Sequence, residues 1–186
     1  MYNDYNMYPL TCNPYYMFQC PYLRNTPVCN PDLRSQFPSQ YLPYVKQVKD
    51  SNPIVLRDYG PNPFVVDIEE ATKQNNNFRL ALWTGKHLQL TLMSINVGED
   101  IGLEVHPHLD QFIRIEEGEG LVKMGDQKDR LDFQANVRDD FAFIIPAGKW
   151  HNLINTGNKP IKLYSIYAPP QHPFGTVHKT KADADH

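Results

Sequence analysis

"GLEVHPHLDQFIRIEEGEG", residues 102–120, sets two histidines one residue apart in a strand-like run and closes on a Gly-Glu-Gly turn. Strand alternation places Glu104 and His106 on one face with Val105 on the other; His108 joins that face if the strand continues past Pro107. The stretch sits among runs of the same kind. From 78–83 through 88–95, 103–106, 111–115, 121–124, 141–145, 151–155 and 161–167 the chain alternates with a period of two and is rich in β-branched, leucine and aromatic residues. Glycine-containing turn signals separate the runs, as at Thr84-Gly85, Val97-Gly98, Glu117-Gly118, Ala147-Gly148 and Gly157-Asn158. Short strands without long helices between them predict an all-β, antiparallel sandwich or barrel. One short helix is expected before it, because Asp67 stands at an N-cap with Glu70 three residues later in "FVVDIEEATKQ", 64–74, and "NNN" then ends the run.

Two spaced patterns then fix the register. Gly98, Glu104, His106, Gln111 and Gly118 fall at intervals of five, one, four and six intervening residues, and Pro146, Gly148, His151 and Asn155 follow as P-x-G-x2-H-x3-N. In both, the chain resembles the cupin family, whose motifs are G-x5-H-x-H-x3-4-E-x6-G and G-x5-P-x-G-x2-H-x3-N. Pairing His106 with His108 instead requires a glycine at 100 and an acid at 112 or 113, where the chain has Asp100, Phe112 and Ile113. The conspicuous histidine pair is therefore out of register. The chain departs from the family pattern at Asp140, which replaces the leading glycine of the second motif, at Glu104 in place of histidine and at Gln111 in place of glutamate. The resemblance implies a double-stranded β-helix, the jelly-roll barrel of cupins, over about 50–178. It is preceded by an irregular segment and linker at 1–49 and followed by a short C-terminal tail at 179–186.

The same resemblance implies that Glu104, His106, Gln111 and His151 point into the barrel and bind one divalent metal. A mixed nitrogen and oxygen set suits Zn, Fe, Mn, Ni or Co, and does not choose among them. Gln111, a weaker donor than glutamate, leaves room for an open coordination position, which a catalytic metal needs. Each residue also has a plainer reading. His151 and His106 can also be read as hydrogen-bonded core histidines, Glu104 as an ion-pair partner of Arg114 or Lys123, and Gln111 as a structural amide, though the motif favours ligation for the first three. His108 lies outside the motif, either solvent-exposed at the barrel mouth or acting as an acid/base group beside the metal.

Phosphomannose isomerases, cupins that hold a metal with Gln-x-His, Glu and His, are similar in residue types with Glu and Gln exchanged. That similarity implies aldose–ketose isomerisation of a sugar phosphate such as mannose 6-phosphate, with the metal polarising the carbonyl and His108 or Glu104 moving a proton. Among basic residues only Arg114, Lys123 and Lys149 lie near the motifs, and alternation turns Arg114 away from the face that carries Gln111. His87, His172, His178 and His186 fall in turns or the tail and carry no signal. Two histidines and one carboxylate also suit a metal-dependent dioxygenase of a small substrate.

The first 45 residues are a different material, with eight of the 11 tyrosines, seven of the 16 prolines and all three cysteines, Cys12, Cys20 and Cys29. Prolines this frequent interrupt both helix and ladder. The cysteine spacing matches neither zinc pairs nor an even-numbered disulfide framework. Such an arm on a β domain resembles proteins of bacterial spore coats and other cross-linked envelopes, which implies a third reading: a non-catalytic scaffold assembled through the tail. The 186 residues carry a net charge of −3 with scattered lysines and arginines, which argues against a nucleic-acid partner, and no apolar run approaches the roughly 20 residues of a membrane span. A cytoplasmic location, a small-molecule substrate and a homodimer that covers an edge strand are the expectations.

Overall fold

The computed structural model describes residues 53–184; Cys12, Cys20, Cys29 and the proposed assembly arm lie outside the described residues. Asp67 caps helix α1 (Ile68–Gln74) by accepting from the Glu70 N–H at 3.1 Å, as its sequence position predicts. Ten strands follow: β1 (Arg79–Thr84), β2 (Gln89–Ile95), β3 (Glu104–Val105), β4 (Asp110–Glu117), β5 (Glu119–Gly125), β6 (Phe133–Arg138), β7 (Ala142–Ile145), β8 (Trp150–Asn155), β9 (Ile161–Ala168) and β10 (Val177–His178). They form two antiparallel sheets, six-stranded in the order β10-β1-β2-β9-β4-β7 and four-stranded in the order β3-β8-β5-β6. This is the all-β jelly-roll with one short helix that the sequence predicts.

The space between the sheets holds an apolar cluster of Phe78, Met93, Ile95, Ile113, Ile115, Val122, Val137, Ile145, Leu153, Ile161 and Leu163, with Ile101 and Met124. Alternation along β1, β2 and β9 turns a second set, Leu80, Leu82, Leu92 and Tyr164, to the opposite face. There α1 and the segment from Ile54 to Ile68 cover it. The six-stranded sheet is consequently buried on both faces across these strands.

Two features of the ladder explain motif positions. Gly118 has φ +95°, and a Cβ built there meets Ile161 Cα and the Pro160 carbonyl oxygen at 2.9 Å, so only glycine lets the β4–β5 turn approach β9. Asp140, which stands where the second motif has glycine, adopts φ 70°. Aspartate is among the side chains that tolerate this left-handed region. Its carboxylate also accepts from Arg114 Nη2 at 2.8 Å, so the departure keeps the backbone conformation and adds an ion pair.

The strand pattern read from sequence omits β6, whose alternation is Phe133, Gln134, Asn136 and Arg138 exposed and only Val137 buried. As an edge strand it carries too little apolar surface to register. After β9 the chain returns, and β10 pairs with β1, setting His178 opposite Arg79. A 3-10 turn at Lys181–Ala184 follows, and Lys181 Nζ meets Asp100 Oδ1 at 2.7 Å.

Candidate metal centre

Glu104 on β3 and His151 on β8 face each other in the ladder. His106 follows β3 directly. Glu104 Oε1 lies 3.4 Å from His106 Nε2 and 3.4 Å from His151 Nε2, and one donor atom of each residue lies within 4.8 Å of the others. Ligands held at about 2.0–2.2 Å from one ion stand roughly 2.8–3.6 Å apart for angles between octahedral and tetrahedral, a range that includes both Glu104–His separations. As hydrogen bonds these contacts are long. Neither Nε2 atom has a hydrogen-bond partner among the described residues, although His106 is 6% and His151 1% exposed.

The surroundings prepare these atoms as ligands. His151 Nδ1 lies 3.0 Å from the Lys149 carbonyl oxygen, to which only a protonated Nδ1 can donate. With Nδ1 so engaged, Nε2 is the ring nitrogen that faces Glu104 and is left for a metal. Gln111 on β4 donates from Nε2 to Ser165 Oγ at 2.9 Å on β9, and its Oε1 is buried without a partner among the described residues. The amide therefore presents its oxygen, the atom that ligates. Burial pushes the Glu104 carboxyl up, but His106, His151 and the Arg79 charge pull it further down, well below the usual carboxylate range. Glu104 is an anion. These donors fit a divalent ion: one carboxylate and two imidazole nitrogens at matching separations, with an amide oxygen of the same interior.

Of the ion pairs weighed for Glu104, neither forms: Arg114 bonds Glu116 Oε1 at 2.9 Å and Asp140, on the outward face that alternation predicts. Asn155, the last motif residue, is structural, donating to the Ile95 and Lys159 carbonyls at 3.0 and 2.9 Å and accepting from the Gly157 N–H at 2.9 Å. His108 is exposed in the turn after His106, outside the cluster.

Two histidines read as silent in the sequence prove otherwise. His172 packs edge-on to Tyr167 with ring centroids 5.2 Å apart, and Tyr167 in turn meets His106 at 5.7 Å. Burial, then the Arg79 charge, pull His172 down to about 4, so it is neutral at pH 7. Arg79 is 4% exposed, Thr91 and Tyr167 wholly buried. Ten buried side-chain atoms lack a hydrogen-bond partner among the described residues; eight belong to Arg79, Thr91, His106, Gln111, His151, Tyr167, His172 and His178. A folded interior leaves few such atoms unmatched by protein, water or ligand. Open surface hollows beside Gly118, Glu119 and Arg138 lie at the Glu119 end of β5, whereas His151 pairs with Met124 near the other end. No donors converge there.

Comparison with known proteins agrees with the fold. A family model described as a cupin domain matches residues 91–167. Uncharacterized protein YrkC of Bacillus subtilis (strain 168) is 72% identical over 131 residues, which cover 70% of each chain. A protein of Acanthamoeba polyphaga mimivirus is 41% identical over 115 residues, 61% of this chain and 70% of that one. A crystal structure of BH2720 from Bacillus halodurans is 70% identical, covers 70% of this chain and 98% of its own, and superimposes with a TM-score of 0.69.

Proposed function

The chain belongs to the cupin family, and from that membership and its convergent donors we propose a metal-dependent cupin acting on a small molecule at the polar end of the barrel. The observation that carries this reading is the pair of His106 Nε2 and His151 Nε2 atoms, buried, unmatched and each 3.4 Å from the ionised Glu104, with the unmatched Gln111 Oε1 buried in the same barrel. A bound divalent ion supplies Lewis-acid polarisation of a substrate oxygen. The protein's part is to orient the His151 ring through Lys149, to turn the Gln111 oxygen inward through Ser165, and to keep Glu104 ionised. Proton movement is assigned to Glu104, among the donors, or to His108, exposed in the turn that follows.

Within this reading the named candidate is aldose–ketose isomerisation of a sugar phosphate, supported by donor types similar to those of phosphomannose isomerases. Dioxygenase chemistry is the second reading, favoured by the cluster of two histidines and one carboxylate. Elemental analysis of protein purified without added metal tests the common premise. Near-stoichiometric metal in the wild type, lost in Glu104→Ala and His151→Ala, is the expected result. Trace metal unchanged by either substitution ends the catalytic reading and leaves the scaffold assembled through Cys12, Cys20 and Cys29. Conversion of mannose 6-phosphate to its ketose by the metal-loaded protein, followed by NMR, then separates isomerase from dioxygenase.

A further inference from the structure

Arg79 is a cation buried in the barrel without a counter-ion. It is 4% exposed, its Nε is buried without a hydrogen-bond partner, and it forms no salt bridge among the described residues. Arginine does not discharge at any relevant pH, and buried charges are otherwise paired. Its direction follows from register: Arg79 pairs with Met93, which lies between the sheets, while its neighbour Leu80 faces α1. The guanidinium rests over the Phe78 ring at 5.6 Å. Its diagonal neighbour on the same inner face is Thr91, which pairs with Ser165, the partner of the Gln111 amide, so a long side chain at 79 reaches toward the metal donors. Glu104, the carboxylate of that interior, is already engaged 3.4 Å from both imidazoles.

We propose that Arg79 is the anion receptor of this barrel, binding the carboxylate or phosphate of a small substrate whose other end meets Glu104, His106 and His151. The guanidinium presents a planar fork that matches either oxyanion bidentately. Thr91 Oγ1, wholly buried on β2, and the Tyr167 hydroxyl on β9 lack partners among the described residues and supply further donors on the same inner wall. His172 Nε2 and His178 Nδ1 are unmatched there too. An anion arriving with the substrate satisfies the charge and these groups together, whereas a neutral sugar or alcohol leaves Arg79 uncompensated. The inference names the substrate class for the metal-site reading and rests on it only for where the other end of the substrate lies.

The test uses the full chain and three probes, pyruvate, mannose 6-phosphate and neutral mannose, with sodium chloride at matched ionic strength. Thermal midpoints and titration calorimetry are read for wild type, Arg79→Met and Arg79→Lys, together with metal content. At least one anionic probe is expected to raise the wild-type midpoint, and which one does so distinguishes carboxylate from phosphate; mannose and chloride leave it unchanged. Arg79→Met weakens that probe about 30- to 100-fold with unchanged metal content, and Arg79→Lys, which keeps the charge without the fork, falls between. A wild-type midpoint that neither anion moves overturns the proposal, as does an affinity that Arg79→Met leaves intact. Protein that binds no metal yet still binds an anion through Arg79 overturns the metal reading alone.

Discussion

Replacing His151 with leucine, a side chain of comparable volume, has opposite consequences for a metal ligand and for a packing residue. In metal-free protein the histidine leaves Nε2 buried and unmatched at 1% exposure. Such an atom costs about 1–3 kcal/mol, and leucine removes it. The same change takes a donor from the Lys149 carbonyl, now served by Nδ1 at 3.0 Å, a loss of about 1 kcal/mol. The apo variant should therefore be as stable as wild type or up to about 2 kcal/mol more stable. With metal present the balance inverts. An ion at 100 to 1,000 times its dissociation constant stabilises the wild type by about 2.7–4.1 kcal/mol, and a variant without the ligand forgoes most of that. For a domain of this size each kcal/mol moves the midpoint by about 3–5 °C. Circular dichroism melts in EDTA, then in Zn, Mn, Fe, Ni or Co salts in turn, should thus show His151→Leu melting at or above wild type without metal and about 2–20 °C below it with the cognate ion. A variant that loses the same amount in both conditions assigns the histidine to packing and removes it from the donor set.

Two further outcomes follow from the same geometry. Ser165→Ala deprives the Gln111 amide of the 2.9 Å acceptor that turns its oxygen inward; metal affinity measured by calorimetry should fall about 10- to 100-fold, and an unchanged affinity excludes Gln111 as a ligand. Gly118 and Gly148 both have positive φ, +95° and +81°, but a Cβ at Gly118 meets backbone at 2.9 Å and one at Gly148 meets nothing within 4 Å. In urea unfolding, Gly148→Ala should cost about 1–2 kcal/mol from backbone strain, and Gly118→Ala clearly more; equal costs contradict the close approach of the β4–β5 turn to β9.

The candidate metal group of Glu104, His106 and His151 was legible because fixed intervals report it: a strand register, once anchored at Gly98 and Gly118, leaves one consistent set of inward positions. Even the departure at Asp140 was visible, though its reason, a left-handed backbone that aspartate can adopt while pairing with Arg114, needed the coordinates. Arg79 was illegible for a physical cause. In "FRLALW" the alternation assigns Leu80 and Leu82 to the core and Arg79 to solvent, but α1 and the segment before it bury the leucine face, so both faces of β1 are interior. Period-two patterning then stops distinguishing inside from outside. His172 and His178 were hidden by distance along the chain, since their place depends on the return of β10 to β1 and on the 83-residue separation spanned by the Gln89–His172 hydrogen bonds.

The inward rows of the sheets explain why chemistry is confined to one end. Along β4 the inward residues run from Gln111 to Ile113 and Ile115; along β8 from His151 to Leu153; along β9 from Tyr167 and Ser165 to Leu163; along β2 from Gln89 and Thr91 to Met93 and Ile95. The pairings Gln111 with Tyr167, Gln89 with Tyr167 and Thr91 with Ser165 set the polar members beside one another across the six-stranded sheet. Each apolar side chain in these rows contributes about 1.5–3 kcal/mol on burial, while each unmatched polar atom at the other end costs about 1–3 kcal/mol. Adjacent residues of single strands thus oppose one another energetically, and the dry half stabilises a polar half that is incompletely satisfied by the protein itself. A core selected for stability alone would continue the apolar rows to both ends; here polar side chains stand side by side on β2, β4 and β9, the part of the interior that the proposed ion and substrate would complete.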